Sequence, residues 1–217
     1  MQRRRFLALS GAGFASGFAG CGGSEATGES IEDHPAAAGL DAQPRQGDLD
    51  GHVVLTFEDP SCERCAAFHA ETVPQILSNL VDPGLGAYVV RMYPVVFPWG
   101  EPASQALEAT YARDDAAFWS LLGHYFENRS QFSAENVLDR TGAFLRETTS
   151  LDAEAVVSDA ENRAYADAVR ADVDAAKAAE LGETTPVVLL FQNGEFVTKV
   201  NGSVSYEVVA EALGEAT

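Results

Sequence analysis

The chain has 217 residues, 46% of them hydrophobic, and is long enough to bury one sizeable core. It carries 33 Asp and Glu residues against 14 Lys and Arg residues, which gives a formal net charge of −19 at pH 7. So acidic a chain repels nucleic acids and anionic lipid surfaces, and no Lys/Arg cluster offsets this beyond the first few residues, so nucleic-acid binding is excluded. The same excess of acid favours a halophilic protein, because concentrated salt screens the self-repulsion over a few ångströms.

The first twenty residues have the pattern of an export signal. Arg3, Arg4 and Arg5 form a twin-arginine pattern. The weakly apolar run that follows has about fourteen residues, fewer than the roughly 20 that a membrane-spanning helix needs. A positive start, a short apolar middle and small residues before a boundary therefore predict that residues 1–20 direct export.

The three cysteines are explained if one of them carries lipid. The stretch Phe18-Ala19-Gly20-Cys21 resembles a lipoprotein cleavage box, which predicts lipidation of Cys21 and anchoring to the outer face of the cytoplasmic membrane. Cys62 and Cys65 then remain as one pair in a compartment where disulfides persist. Residues 21–50 contain almost no large apolar side chain, so we expect a disordered tether there.

Residues 51–217 show the pattern of an α/β domain. The predicted elements are, in chain order, a strand at 52–57, a helix from about 62 to 80 with a kink at Pro74, a strand at 87–93, a loop at 94–102, helices between about 103 and 181 with breaks near 128–133 and 148–152, a strand at 186–191, a strand at 196–200 and a helix at 205–213. Asn193-Gly194 is typical of a two-residue hairpin. This order predicts a sheet with a helical subdomain inserted at about 103–181.

The pair Cys62 and Cys65 admits three interpretations. A structural zinc site needs four ligands, and although His69 could share the helix face of the cysteines, no fourth ligand is evident. A purely structural disulfide would close a very small loop and restrain the unfolded chain little. A redox pair has a mechanism: at a helix N-terminus the free N–H groups and the helix dipole lower the pKa of Cys62, and Cys65 lies one turn further on. Between them, Arg64 favours the thiolate and Glu63 opposes it.

The motifs together resemble the DsbA family of thioredoxin-fold proteins, in the form with a helical insertion. The matching pieces keep their order from VVLTF and EDPSCERC through DAAFWSLLGHYF to TTPVVLLFQNGEFV. The resemblance implies that Pro186 is a cis proline beside the cysteines and that Thr185 precedes it. In such proteins the backbone around this proline pairs with an extended substrate peptide.

The chain departs from the family pattern at two places. Many relatives have Pro after the first cysteine and an aromatic residue or His before the second, where this chain has Glu63 and Arg64. Many also carry a buried acid six residues before the first cysteine, where Thr56 stands here. Glu58 or Asp59 could take over proton transfer to Cys65, or could equally be a capping or surface carboxylate.

The sequence therefore predicts an exported, lipid-anchored thiol-disulfide oxidoreductase that acts on the thiols of exported proteins or peptides. The catalytic residues would be Cys62 and Cys65, supported by Thr185, Pro186, Glu63, Arg64 and Glu58. No cofactor or metal is expected, because the cysteines carry the electrons, and an unidentified redox partner would restore their oxidised form. Three alternatives remain: a reductase or isomerase on the same fold, a metal-delivery lipoprotein that uses the cysteines and His69, and a redox-silent protein-binding domain.

Overall fold

Strand β2 (His52–Glu58) lies in the middle of a five-stranded sheet, and all of its residues are buried. The computed structural model describes residues 28–215. The sheet order is β1 (Arg45–Gly47), β3 (Gly86–Met92), β2, β4 (Val187–Gln192) and β5 (Glu195–Asn201). Strands β2 and β3 are parallel, whereas β4 runs antiparallel to β2 and pairs Val187 with Phe57. The residues that follow β2 and those that precede β4 therefore meet at the same end of the sheet.

The helices fall into a pair after β2, a block between β3 and β4, and one at the C-terminus. They are α1 (Glu63–Glu71), α2 (Val73–Ile76), α3 (Gly100–Tyr111), α4 (Asp115–Glu127), α5 (Val137–Thr148), α6 (Ala153–Glu161), α7 (Ala166–Ala178) and α8 (Tyr206–Leu213). A π-helical turn at Leu77–Val81 extends α2. Pro74 stands in the first turn of α2, which explains why the predicted long helix is interrupted there. The α/β thioredoxin-like fold with a helical insertion is thus confirmed.

The two faces of the sheet carry separate apolar clusters, because successive strand side chains point to opposite faces. On one face, Val54, Tyr88 and Leu190 join Phe68 of α1 and Phe118 of α4. The opposite face is covered by α7 and by the segment before β1. Its cluster includes Val53, Leu55, Phe57, Val89, Leu189, Ala175 and Ala176.

The segment before β2 is not a disordered tether in its described part. Residues 28–50 contain two short 3₁₀ turns that bury Ala36 and Leu40 against the sheet, and β1 pairs antiparallel with β3. At the other edge of the sheet, the Phe196 N–H donates to the Glu29 carbonyl at 2.9 Å. The prediction of a tether relied on the scarcity of large apolar side chains in this segment. The segment is ordered instead by the burial of small residues and by backbone hydrogen bonds to distant strands.

The predicted export signal, and Cys21 with it, lies outside the described residues. Among residues 28–215, no helix is both long and apolar enough to cross a membrane.

The inserted helices are tied to the sheet by a buried ion pair. Arg91 of β3 and Asp172 of α7 are both buried, and the Arg91 Nη1 lies 2.8 Å from an oxygen of the Asp172 carboxylate. The other carboxylate oxygen accepts from the Met92 N–H at 2.9 Å, and Gln43 donates to the carboxylate at 3.0 Å. These contacts pair the two buried charges and fix α7 against β3, although the Arg91 Nε has no partner among the described residues.

Candidate active site

Cys62 lies where β2 passes into α1. It is the N-cap of α1, and its sulfur accepts a hydrogen bond from the Cys65 N–H at 3.4 Å. Cys62 and Cys65 are both free thiols, and 3% and 0% of their surfaces are exposed. The turn before the helix places the first sulfur at the helix N-terminus and the second one turn deeper.

The two thiols differ strongly in acidity. A hydrogen bond from the Cys65 thiol is the main cause that lowers the pKa of Cys62 to about 5, and donors at Thr185 and the backbone N–H groups of Cys65 and Arg64 add to it. Burial opposes this effect on Cys62 but does not outweigh it. For Cys65, burial raises the pKa well above its ordinary value. Cys62 is therefore the thiol of the pair that ionises more readily at neutral pH, whereas Cys65 keeps its proton.

The loop before β4 reaches the same sulfur. The Thr185–Pro186 peptide bond is cis, as the family resemblance implies. The Cys62 thiol donates to the Thr185 carbonyl at 3.3 Å, so two segments 123 residues apart meet at this atom. The buried Thr185 hydroxyl has no partner in the part of the chain that the structure describes. It is available to donate to the sulfur once Cys62 has ionised and can no longer donate to the carbonyl.

A buried carboxylic acid lies close to the cysteines. Glu58 is fully buried, and its Oε1 accepts from the Tyr88 hydroxyl at 2.6 Å and from the Thr56 hydroxyl at 2.8 Å. Burial is the main cause that raises the pKa of Glu58 to about 7, against the two hydrogen bonds. The Glu58 charge in turn contributes to the raised pKa of Cys65. Glu58 lies on the same face of β2 as Thr56, two residues nearer to Cys62 than the family's usual acid.

Asp59, the other acid considered from the sequence, binds backbone instead. One carboxylate oxygen accepts from the Ser61 N–H at 2.7 Å, and the other accepts from the N–H groups of Val95 and Val96 at 2.8 and 2.7 Å. Asp59 thus joins the turn before Cys62 to the loop after β3. A Cβ at Gly100 would come within 2.4 Å of this carboxylate, so only glycine fits where α3 begins.

The two residues between the cysteines are exposed. Glu63 lies 3.9 Å from the Arg129 guanidinium. The backbone N–H of Arg64 helps to lower the pKa of Cys62, which is a contribution that any residue except proline would make. Sequence reasoning missed Tyr88, since its contact with Glu58 joins two strands and has no local signal.

His69 lies on α1, and its Nε2 is buried. Its ring packs against Tyr88 and Phe126, with centroids 6.2 and 4.7 Å apart, and burial lowers the pKa of His69 to about 4. Within residues 28–215, no group of three His, Cys, Asp or Glu side chains is placed to hold a metal ion, so His69 does not form such a group with the cysteines.

Comparison with known proteins agrees with this arrangement. The chain belongs to the thioredoxin family, because the family model described as Thioredoxin matches residues 41–214. That match begins inside the segment that the sequence had assigned to a tether. No curated protein matches the chain.

Several solved structures share the fold at low sequence identity. BdbD from Bacillus subtilis, in its oxidised form, is 21% identical with a TM-score of 0.69, and the match covers 81% of this chain and 95% of BdbD. DsbA from Chlamydia trachomatis is 15% identical with a TM-score of 0.68, covering 80% of this chain and 90% of that one. For α-DsbA1 from Wolbachia pipientis the values are 16% and 0.65, with 80% and 92% covered. The chain therefore has the fold of DsbA-like thiol-disulfide oxidoreductases.

Proposed function

We propose that this protein is a thiol-disulfide oxidoreductase that exchanges disulfides with exported polypeptides through Cys62 and Cys65. One observation carries the proposal: the Cys62 sulfur lies at a helix N-terminus, beside the Thr185 carbonyl, with its pKa lowered to about 5. At pH 7 the thiolate of such a group outnumbers the thiol by about a hundredfold. A structural cysteine has no need of this arrangement.

The reaction starts from the disulfide form. A substrate thiolate attacks the Cys62 sulfur, the bond between Cys62 and Cys65 breaks, and Cys65 leaves as a thiolate that takes up a proton. A second substrate thiolate then attacks the substrate sulfur of the mixed disulfide and releases the Cys62 thiolate. The substrate loses two electrons and two protons; one proton goes to Cys65 and the other to solvent.

Oxidation of substrates is the direction that the thiol chemistry favours. A stabilised Cys62 thiolate is a good leaving group and lowers the free energy of the reduced form, so the disulfide is readily reduced by a substrate dithiol. An exported redox partner must then remove two electrons from Cys62 and Cys65 to complete the cycle. A reductase would instead need a reduced form of higher free energy, so that its dithiol readily reduces the disulfide of the substrate.

Glu58 supplies the proton in this scheme. Its pKa of about 7 keeps both its acid and its carboxylate populated at neutral pH, which is the condition for efficient proton transfer. Its Oε2 is buried and has no partner within the described residues, whereas its Oε1 is fixed by Tyr88 and Thr56. The proton that Cys65 needs would therefore pass from Oε2.

The cis proline loop would hold the substrate. The backbone at Thr185 and Pro186 precedes β4 and lies at the Cys62 sulfur, so an extended peptide paired with this backbone would bring its own sulfur into reach.

For location, we propose export through the N-terminal signal and attachment of Cys21 to lipid on the outer face of the cytoplasmic membrane. In the encoding organism, the protein should fractionate with membranes, and Cys21→Ser should move it to the soluble exported fraction. A wild-type protein found only in the soluble fraction would contradict the anchor while leaving the redox proposal intact.

The redox proposal is tested with a reduced peptide that contains two cysteines. The oxidised protein should convert one equivalent of the peptide to its disulfide and emerge with Cys62 and Cys65 reduced. Cys62→Ser should abolish the reaction, and Cys65→Ser, loaded as a mixed disulfide, should release oxidised peptide without forming an internal disulfide. Full activity in Cys62→Ser would refute the proposed nucleophile.

A further inference from the structure

Two stretches of the chain match the acceptor pattern for N-glycosylation of exported proteins, which is Asn-x-Ser with any middle residue except proline. They are Asn128-Arg129-Ser130 and Asn201-Gly202-Ser203. Matches this short arise often by chance, and the pattern alone gives no preference between the two. The folded surroundings of each asparagine decide whether its side-chain amide can react.

The Asn128 side chain is held by contacts within the helical insertion. Asn128 is half-buried at the end of α4, where its Nδ2 donates to the His124 carbonyl at 3.1 Å and lies 3.2 Å from the His124 Nδ1. Its Oδ1 accepts from the Gln131 side chain at 2.9 Å. Ser130, which would complete the acceptor, lies in a 3₁₀ turn at Arg129–Gln131. Modification of Asn128 would therefore break hydrogen bonds at both polar atoms of its side chain.

The Asn201 side chain is not held in this way. Asn201 is the last residue of β5, an edge strand of the sheet, and both Asn201 and Ser203 are exposed. Within residues 28–215, neither of these two side chains forms a hydrogen bond. The segment before β1 meets the outer edge of β5 near Phe196, whose N–H donates to the Glu29 carbonyl at the other end of the strand. The Asn201 amide is therefore accessible to an enzyme.

The backbone after Asn201 suits an acceptor. An asparagine side chain can form a turn by hydrogen bonding to the residue two positions on, and here that residue is Ser203. Gly202, between them, has a φ of +95°, a conformation that residues other than glycine rarely adopt. Residues 202–205 belong to no helix or strand. The chain can bend after Asn201 without disrupting a regular element.

Asn201 also lies at the redox end of the sheet. Its partner in the register of β4 and β5 is Val187, the residue after the cis proline. The Gly202 N–H donates to the Pro186 carbonyl at 2.7 Å. A group attached to Asn201 would therefore stand beside the loop that is proposed to bind the substrate.

We propose that Asn201 is an N-glycosylation site of the exported protein and that Asn128 is not one. The inference rests on the export that is part of the proposed function, and it adds a covalent modification that borders the redox site. The Asn201 Nδ2 would attack the anomeric carbon of a lipid-linked oligosaccharide. The bond from that carbon to the lipid phosphate would break, the phosphate would leave with the bonding electrons, and the amide would lose one proton.

The test is mass spectrometry of the protein isolated from the exported fraction of the encoding organism. Cleavage after lysine and arginine separates the two asparagines, because peptide 114–129 contains Asn128 and peptide 200–217 contains Asn201. We expect peptide 200–217 to carry the added mass of sugar residues in most molecules. Peptide 114–129 should have its unmodified mass.

Three variants test whether the acceptor pattern is responsible. Asn201→Gln and Ser203→Ala should abolish the added mass, since each removes one required side chain. Ser203→Thr keeps a hydroxyl at the same position and should keep the modification. Both positions are exposed, so these substitutions leave the core unchanged. Asn128→Gln is the matched control and should leave peptide 200–217 modified.

The outcomes separate this inference from the proposed function. An exported wild-type chain with an unmodified Asn201 would overturn the site while the redox function stands. Modification of Asn128 as well as Asn201 would overturn the selection between them by the fold. A glycosylated protein that oxidises no thiol peptide would support the site and refute the redox function, and a chain retained inside the cell would contradict export and the site together.

Discussion

Replacing Glu58 by glutamine should remove a specific dependence of stability on pH. Glu58 is buried in the folded protein with a pKa of about 7, against 4.5 for the unperturbed group. The folded state therefore binds this proton more tightly than the unfolded state does. The stabilisation from Glu58 is fully present below pH 4.5 and is lost as the pH rises through 7. At 1.36 kcal/mol per pKa unit, the whole change amounts to about 3 kcal/mol.

The assay is the free energy of unfolding in urea at a series of pH values between 5 and 9. Both proteins carry Cys62→Ser and Cys65→Ser, so that neither thiol near Glu58 titrates; the Cys62 charge is the last of the causes acting on Glu58. Between pH 5 and 9, the free energy of unfolding of the protein with Glu58 should fall by about 2–3 kcal/mol relative to that of the Glu58→Gln protein. The difference between the two proteins matters, because Glu108, with a pKa raised to about 8 by burial, adds a similar slope to both.

Glu71→Gln provides the control, since Glu71 is an exposed acid on α1. Its curve should run parallel to that of the unmodified background. Parallel curves for Glu58→Gln as well would refute the argument, because they would mean that Glu58 ionises in the folded protein as readily as in the unfolded one.

Three further predictions concern single groups and the net charge. Burial lowers the pKa of His69 to about 4, so the wild-type protein should lose about 3 kcal/mol of stability as the pH falls from 6.5 to below 4, and His69→Leu should not show this loss. Urea unfolding at pH 4 and pH 7 measures the difference, and an unchanged dependence on pH in the variant would contradict the prediction. Thr185→Val should raise the pKa of Cys62 by about one unit, because the hydroxyl can no longer donate to the thiolate, and a pH titration of the reaction with a small alkylating agent would detect this shift or its absence. The net charge of −19 predicts that the midpoint of thermal unfolding falls when the salt concentration is lowered from about 1 M to dilute buffer, because the screening length is only about 3 Å at 1 M. Equal stability in both buffers would argue against adaptation to salt.

The sequence predicted those parts of the fold that depend on local pattern. The strands around the redox motif and the inserted helices have a clear period, and the Asn193-Gly194 hairpin has a local signature. Each predicted strand begins and ends within one residue of the observed strand. The helical block has the two predicted breaks and two that were not predicted, after Tyr111 and after Glu161. The start of α3 was missed by three residues, because Pro102 was read as loop, whereas proline is tolerated in a first helical turn.

Features that depend on distant contacts were not predictable in this way. Residues 28–50 are ordered because they pair with β3 and β5, and composition alone carries no information about such long-range pairing. The choice between Glu58 and Asp59 was open in the sequence and rests on Tyr88 and on the backbone N–H groups after β3. The approach of Thr185 to Cys62 was expected only because a family resemblance implied it.

The acidity of Cys62 is the property on which the redox account depends most directly. Thiolate formation can be followed by ultraviolet absorbance in the reduced protein as the pH is raised, with Cys62→Ser as the blank. The account predicts a single early transition centred near pH 5 that is absent from the variant. A first transition near pH 9, as for an ordinary thiol, would contradict it.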